Sequence, residues 1–401
     1  MPSDPKHIVL LCDGTANHLG TDLSNIARIF RCLEKDEKQL VFYNSGVGTV
    51  GADMWWSERA RRAKALFEQA TGYSIDQDII SIYGFLCTQY NPGDQISLFG
   101  FSRGAYTIRI VAALIHMVGI LPRDQVNLAG FALSYLKIIS SKDGAADKSD
   151  FERVYEFSRV AGARSAEVSF LGLFDTVSSL ILPGRNGPFP GLATLPHTRR
   201  NPSVRTVRHA AAIDEKRAMF RLNRWEEPQP FIQDRFDVPQ PPPEQDIKQV
   251  WFAGVHSDIG GGYPEQDSGL AKIPLHWMIE EAKLSGLKFS DRRIEKYVLG
   301  VERSGKDEFA SPNPIASAHD SLKGSYIFEL IPKMRRFAET RLPRWPVYLP
   351  LGEPRNLTRT RPRPLIHQSV LDRIAAGDYR PINLPPEHEV EPWSQSWTTR
   401  R

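Results

Sequence analysis

The pentapeptide Gly100-Phe101-Ser102-Arg103-Gly104 has the spacing G-x-S-x-G, a serine set between small residues. Before it runs Gln95-Ile96-Ser97-Leu98-Phe99, of strand character, and after it Ala105 to Val118, of helical character and stopping at Gly119. A serine at a sharp strand-to-helix turn is lifted above the edge of a sheet, and small neighbours let the strained turn close. The same turn puts the helix N-terminus, with its unpaired N–H groups, beneath the position where an oxyanion forms in acyl transfer. The chemistry this arrangement suits is nucleophilic attack on a carbonyl carbon, and it requires a base and an acid elsewhere in the chain.

A serine of this kind is followed in sequence by its acid and then its histidine, each where a strand runs out. Asp175 follows an apolar strand ending at Phe174, and His256 follows one ending at Val255, so the order is met without rearrangement. Asp214 is a rival acid in His209-Ala210-Ala211-Ala212-Ile213-Asp214-Glu215, a stretch read as helical, where a capping or solvated carboxylate is the plainer role. Asp258, two residues past His256, would make a His-x-Asp pair for a metal, but no third ligand with metal spacing accompanies it. Its expected task is to hold the Gly260-Gly261-Gly262 loop. No metal and no cofactor is expected. The backbone N–H of Arg103 is one expected oxyanion donor, and Gly14 or Thr15, in the loop after an early strand, the other.

The elements that must position these residues alternate. His7 to Cys12 is a continuous apolar run, as in a strand buried on both faces, and ends in Asp13-Gly14-Thr15. Ser24 to Leu33, Ser57 to Ala70 and Asp76 to Tyr90 read as helices; Leu40 to Tyr43, Glu167 to Phe174 and Gln249 to Val255 read as strands. Strands and helices in this alternation predict an α/β fold with a mainly parallel sheet covered by helices on both faces. Pro183 to Pro202 and Val238 to Asp246 are expected as loops. Gly46-Val47-Gly48-Thr49-Val50-Gly51 spells the dinucleotide fingerprint, yet no helix opens at once and no strand-end acid follows, so a glycine-rich wall of the cleft is the better reading.

Beyond residue 300 the composition changes: 13 of the 30 prolines lie between residues 301 and 401. The chain is therefore expected to divide into a catalytic domain, 1–300, and a Pro-rich, basic C-terminal extension, 301–401, without a core of its own. Lys333 to Arg363 holds nine basic and two acidic residues, a local excess that suits peripheral contact with anionic lipid headgroups. Trp55-Trp56 reads as a cleft lip or as core. The whole chain of 401 residues is close to neutral, at +4, so nucleic acid is not an expected partner. Three cysteines without C-x-x-C spacing read as buried thiols. No signal peptide and no membrane span is legible, which places the chain in the cytoplasm and leaves export by a signal-independent route open.

Five motifs in this order carry a family resemblance: Leu11-Cys12-Asp13-Gly14-Thr15, Tyr43 to Thr49, Gly100 to Tyr106, Phe174-Asp175-Thr176-Val177, and the long Trp251 to Tyr263. Together, over roughly residues 7 to 285, they resemble an alpha/beta-hydrolase family that contains the first group of type VI secretion phospholipase effectors. The resemblance implies an alpha/beta-hydrolase fold and a lipolytic or esterase domain acting on phospholipid acyl esters. Position by position it implies Ser102 as nucleophile, His256 as base and Asp175 as acid. The large membrane-anchoring region that the effectors carry beyond the catalytic domain has no counterpart in these 401 residues. The reading is a serine hydrolase of carboxylic esters, with phospholipid as first substrate. A small-ester or thioester hydrolase, or a non-catalytic binding protein on the same fold, stands as the alternative.

Overall fold

In strand β1, His7–Cys12, neighbouring side chains enter opposite cores: Ile8, Leu10 and Cys12 one, Val9 and Leu11 the other. A strand with water on neither side has no polar face, which is why the run is continuously apolar. The computed structural model describes residues 4–14, 22–46, 73–141, 148–177, 180–182, 191–193, 197–232, 240–301, 309–322, 333–334, 347–359, 361–377 and 379–394. The further strands are β2 Gln39–Asn44, β3 Gln95–Phe101, β4 Val168–Phe174, β5 Leu180–Leu182, β6 Gly191–Ala193, β7 Val204–Ala212, β8 Asp246–Phe252, β9 Lys333–Met334, β10 Val347–Tyr348, β11 Leu365–His367 and β12 Glu389–Glu391. Eight of them form one sheet in the order β12-β11-β8-β7-β4-β3-β1-β2. All its pairings are parallel.

Parallel strands need crossovers, and the described helices supply them on both faces. Helices α2 Tyr73–Gln89, α3 Ser102–Met117, α4 Ala129–Ser141 and α5 Lys148–Val160 contribute to the core built on Ile8, Ile96 and Leu98. The opposite core, on Val9, Phe99, Phe170 and Phe252, receives α1 Asn25–Cys32, α7 Lys272–Leu284 and α8 Asp291–Tyr297. A single turn of helix, α6 His256–Gly260, follows β8, and α9 Gln368–Ala376 follows β11. Ser24 caps α1, its hydroxyl accepting the Ala27 N–H at 3.0 Å. This is an alpha/beta-hydrolase-like fold. The chain order reverses between β1 and β3, so the crevice beyond the carboxyl ends of these strands is where such sheets bind ligands.

Three expectations change. The stretch around His209 is strand β7 rather than helix, because Ala210 and Ala212 enter one core while Val207 enters the other. The strand before His256 ends at Phe252, and Ala253-Gly254-Val255 make a turn in which Gly254 has φ +111°. Within Pro183–Pro202, read as a loop, residues 191–193 pair antiparallel with 180–182. The helix expected over Ser57–Ala70, Trp55-Trp56 and most of the glycine run 46–51 lie outside the described residues. The three cysteines are buried and unbridged. Among the described residues no helix is long and apolar enough to cross a membrane.

The segment beyond residue 300 adds two strands to the main sheet and a third apolar cluster, in which Ile366, Val370 and Leu357 meet Ala211, Ile213, Trp251 and Ala253. It is thus packed onto β7 and β8. Ile366 is fully buried, so Ile366→Ala is expected to cost about 2–5 kcal/mol, read as a lower urea midpoint. A chain ending at residue 300 should lose its cooperative thermal transition. A truncated chain melting like the full one would show the segment to be an appendage.

Candidate active site

Ser102 stands where β3 becomes α3, with φ +58°, a conformation that L side chains rarely adopt. The turn closes because its flanks are glycines. A Cβ on Gly100 would lie 2.5 Å from Ala105 Cα, and one on Gly104 would lie 2.3 Å from the carbonyl oxygens of Cys12 and Asp13. The start of α3 is therefore pressed against the end of β1. Phe101 at the N-cap offers the first turn no side-chain hydrogen bond. The backbone N–H of Arg103 belongs to that turn and has no partner within the helix.

Ser102 Oγ lies 2.8 Å from His256 Nε2, and His256 Nδ1 lies 2.5 Å from Asp175 Oδ2. All three side chains are buried. Three separate strand ends, those of β3, β4 and β8, bring them together, and the residues are 73 and 81 positions apart along the chain. The imidazole is held between two rings, Phe101 and Phe220, each with its centroid 4.8 Å away. Its own backbone N–H donates to Glu215 Oε2 at 3.2 Å.

Asp175 has φ +39° and no exposed surface. Four donors reach its carboxylate. Oδ1 accepts the Ala212 N–H at 2.9 Å and Arg355 Nη1 at 2.6 Å; Oδ2 accepts His256 Nδ1 and, at 3.0 Å, Arg355 Nη2. Burial alone would raise this carboxyl. The Arg355 guanidinium, with the His256 hydrogen bond, outweighs burial and holds it below the usual carboxylate range.

Gly14 lies beside this cleft, but its N–H donates to Asp13 Oδ1 at 2.7 Å, so it can serve an oxyanion only by giving up that bond. Asp13 Oδ2 accepts the hydroxyls of Ser24 and Tyr43, which fixes the end of β1. Thr15 lies outside the described residues. Asp214, the rival acid, accepts the Gly254 N–H at 2.7 Å and the Tyr379 hydroxyl at 2.8 Å, and so holds the turn before His256. Asp258 accepts the Val255 N–H at 3.0 Å and pairs with His319 Nδ1 at 2.7 Å; it ties down the residues before His256 rather than the glycines after it. Among the described residues no group of three or more His, Cys, Asp or Glu side chains could hold a metal.

Arg355, Glu215, His319 and Ser321 were not legible as site residues. Glu215 carries a strand-end signal like that of Asp175, but the others lie 63 or more positions beyond His256 in a proline-rich stretch without periodicity. The basic excess of Lys333–Arg363 is partly spent inside the molecule: Arg355 on Asp175, Arg361 on Glu389 at 2.6 Å and Arg363 on Glu387 at 3.1 Å. Arg335, Arg336, Arg341 and Arg344 lie outside the described residues.

Two outcomes follow. Gly104→Ala must displace backbone at the end of β1, so it should abolish turnover and lower the melting temperature; a fully active variant would show the close approach to be dispensable. His209 lies under the site, its Nε2 accepting the Thr176 N–H at 3.3 Å. Burial, helped by Arg109, pushes this histidine down to about 3; burial likewise pushes His367 down to about 3 and His7 to about 4. An unfolded histidine takes up its proton near 6.5. Their contribution to stability is thus complete above about pH 6.5 and is lost as pH falls toward 4, at about 1.4 kcal/mol per pH unit for each. Urea midpoints between pH 7 and 5 should fall, and His209→Gln should flatten the slope; a midpoint insensitive to pH would contradict the assignment.

Residues 6–281 match the family model described as T6SS, Phospholipase effector Tle1-like, catalytic domain. The uncharacterized protein YEL023C of Saccharomyces cerevisiae is 30% identical over 259 residues, spanning 59% of this chain and 35% of that one. Among solved structures, an uncharacterized protein from Pseudomonas aeruginosa aligns at TM-score 0.36 and 18% identity, covering 72% of this chain and 47% of the other. The Tle1 effector bound to the VgrG spike from the type 6 secretion system aligns at TM-score 0.35 and 20% identity, covering 66% and 53%. The chain spans about a third of the yeast relative and about half of each structural one. Because the family model covers well over half of it, the chain belongs to the Tle1-like catalytic-domain family of type VI secretion phospholipase effectors.

Proposed function

We propose that the chain is a serine hydrolase of lipid carboxylic esters, with Ser102 as nucleophile, His256 as general base and Asp175 as the acid that orients it. The observation that carries this reading is the continuous hydrogen-bonded path from Ser102 Oγ through the imidazole to Asp175, starting from a serine in a left-handed backbone conformation. Membership of a phospholipase effector family supports a phospholipid acyl ester as the first substrate to test.

The chemistry follows from the geometry. Ser102 Oγ attacks the ester carbonyl carbon while His256 Nε2 takes its proton, and the carbonyl oxygen becomes an oxyanion. Asp175 keeps the imidazole in the tautomer whose Nε2 can accept, and stabilises the imidazolium that results. The Arg103 N–H meets the oxyanion; the second donor is assigned to the loop after β1, from Thr15 or from Gly14 released by Asp13. One such donor is typically worth about 10²–10³ in rate. His256 then returns the proton to the leaving alcohol, and an acyl group remains on Ser102. Water, deprotonated by the same Nε2, attacks the acyl carbon, and the fatty acid leaves as Ser102 recovers its proton.

The test is labelling by a fluorophosphonate probe beside release of fatty acid from mixed phosphatidylglycerol–phosphatidylcholine vesicles. Wild type should label and hydrolyse; Ser102→Ala should do neither, and Asp175→Asn should lose about 10⁴ in kcat. Vesicle binding that survives in Ser102→Ala, with no labelling of folded wild type, would replace the enzyme by a lipid-binding protein. Labelling with hydrolysis of short soluble esters alone would redirect the substrate.

A further inference from the structure

Arg355 is the only described side chain to make a bidentate contact with the Asp175 carboxylate, and it comes from the segment expected from the sequence as a Pro-rich extension. The hydrogen bonds of its guanidinium reach further. Nη1 also donates to Ala212 O at 3.0 Å, at the end of β7, and Nη2 donates to Phe220 O at 2.6 Å. Phe220 is one of the two rings against the imidazole. One planar group therefore fixes the carboxylate that orients His256 and the backbone of a residue that packs on it. Arg355 is itself held: Asn383 Nδ2 donates to Arg355 O and to Ile213 O, each at 3.0 Å.

Two more contacts come from the same segment. Ser321 Oγ donates to Glu215 Oε1 at 3.0 Å, and the other oxygen of Glu215 accepts the backbone N–H of His256. His319 meets Asp258, which caps the turn preceding His256. The turns that carry Asp175, Glu215 and His256 thus each have a partner between residues 319 and 355.

We propose that Arg355 is a positioning residue for hydrolysis, a cationic fork that holds Asp175 and the Phe220 turn in register with His256 and offsets part of the carboxylate's charge. The inference rests on the reading of Ser102, His256 and Asp175 as a catalytic triad. Its consequence is electrostatic as well as geometric. A carboxylate shared with a guanidinium stabilises an imidazolium less than a carboxylate facing the imidazole alone. The other charged or titratable groups around this pair are Glu215, itself paired with Arg217, Asp258, paired with His319, and His209 beneath Asp175. None of them contacts the carboxylate of Asp175 directly in the way Arg355 does.

The experiment is the pH dependence of kcat and KM for a p-nitrophenyl ester, in wild type, Arg355→Met and Arg355→Lys, together with fluorophosphonate labelling rates. In R355M, kcat is expected to fall by about tenfold or more with KM unchanged, the order that orienting partners of catalytic groups are worth, and the acid limb of the profile to move to higher pH. R355K keeps the charge and loses the fork, so its kcat should fall while its acid limb stays in place. Removing one member of a buried pair can unfold a protein. Should R355M not fold, R355K carries the test through its kcat and its labelling rate. Wild-type kcat and an unmoved limb in the folded variants, with only the melting temperature lowered, would reduce Arg355 to a structural residue. A wild type that neither labels nor hydrolyses would instead overturn the triad reading, and this inference with it.

Discussion

A carboxylate with no exposed surface lies at the centre of this molecule, and it must be compensated from within. Asp175 cannot be left unpaired, because an ion stripped of water costs several kcal/mol even after the protein relaxes. Its compensation comes from three places: the Ala212 N–H at the end of β7, the imidazole after β8, and a guanidinium more than a hundred residues past β7. Satisfying one charge therefore fixes the relative placement of two neighbouring strand ends and of the C-terminal segment. The proposed chemistry uses the same three neighbours. A carboxylate held by four donors has little freedom to turn, and the imidazole it faces inherits that rigidity.

Two of the four described non-glycine residues with positive φ lie at the same point, His197 and Leu351 being the others. Ser102 and Asp175 both have positive φ without being glycines, and such residues cost of order 1–3 kcal/mol each. They sit at the carboxyl ends of adjacent strands, β3 and β4, whose side chains are buried on both faces. The Val177 N–H lies 3.5 Å from Ser102 O, so the two strained turns also lean on each other. A rigid parallel sheet between two apolar cores can hold its ends in poor conformations because the cost of moving them is a disrupted core. The small residues around the serine complete the arrangement. Gly104 lets the helix start approach the end of β1, which Asp13 fixes through Ser24 and Tyr43.

How much of this was legible in the sequence depended on the range of each signal. Ser102 announces itself locally, because a strained strand-to-helix turn needs small residues at fixed offsets. Asp175 and His256 are legible as strand ends, since apolar runs followed by a polar residue mark where a buried strand reaches the edge. The β7 strand was misread because alanine-rich His209–Ala212 has helical propensity, and the burial that overrides it comes from neighbouring strands. Helices α4, α5, α7 and α8 have no counterpart among the expected helices, although the apolar period of α5 is clearer than that of α2 or α3. Beyond residue 300 the described strands are two or three residues long, with Pro364, Pro385 and Pro386 in the chain between them, so no period exists to be read. Arg355 had no local signal at all; what selects it is a charge 180 positions earlier in the chain.

The C-terminal segment is joined to the rest of the molecule through the acids of the sheet's carboxyl edge. The Ala310 N–H meets Glu265, His319 meets Asp258, the Ser321 hydroxyl meets Glu215, Arg355 meets Asp175 and the Tyr379 hydroxyl meets Asp214. Glu265 in turn neutralises two buried cations, Arg28 and Lys272, and burial pushes Lys272 down to about 7 despite that partner. Without its late partner Asp175 would lose its guanidinium and Asp258 and Asp214 a side-chain partner, whereas Glu215 keeps Arg217 and Glu265 keeps Arg28 and Lys272. Apolar contact alone would let such a segment slide, since hydrophobic burial is non-directional. Five directional contacts at separate acids fix its register, and four of those acids lie at the ends of β4, β7 and β8, in the turns that hold or flank His256. The segment that adds the β11 and β12 edge of the sheet is for this reason also in direct contact with the turns that carry Asp175, Glu215 and His256.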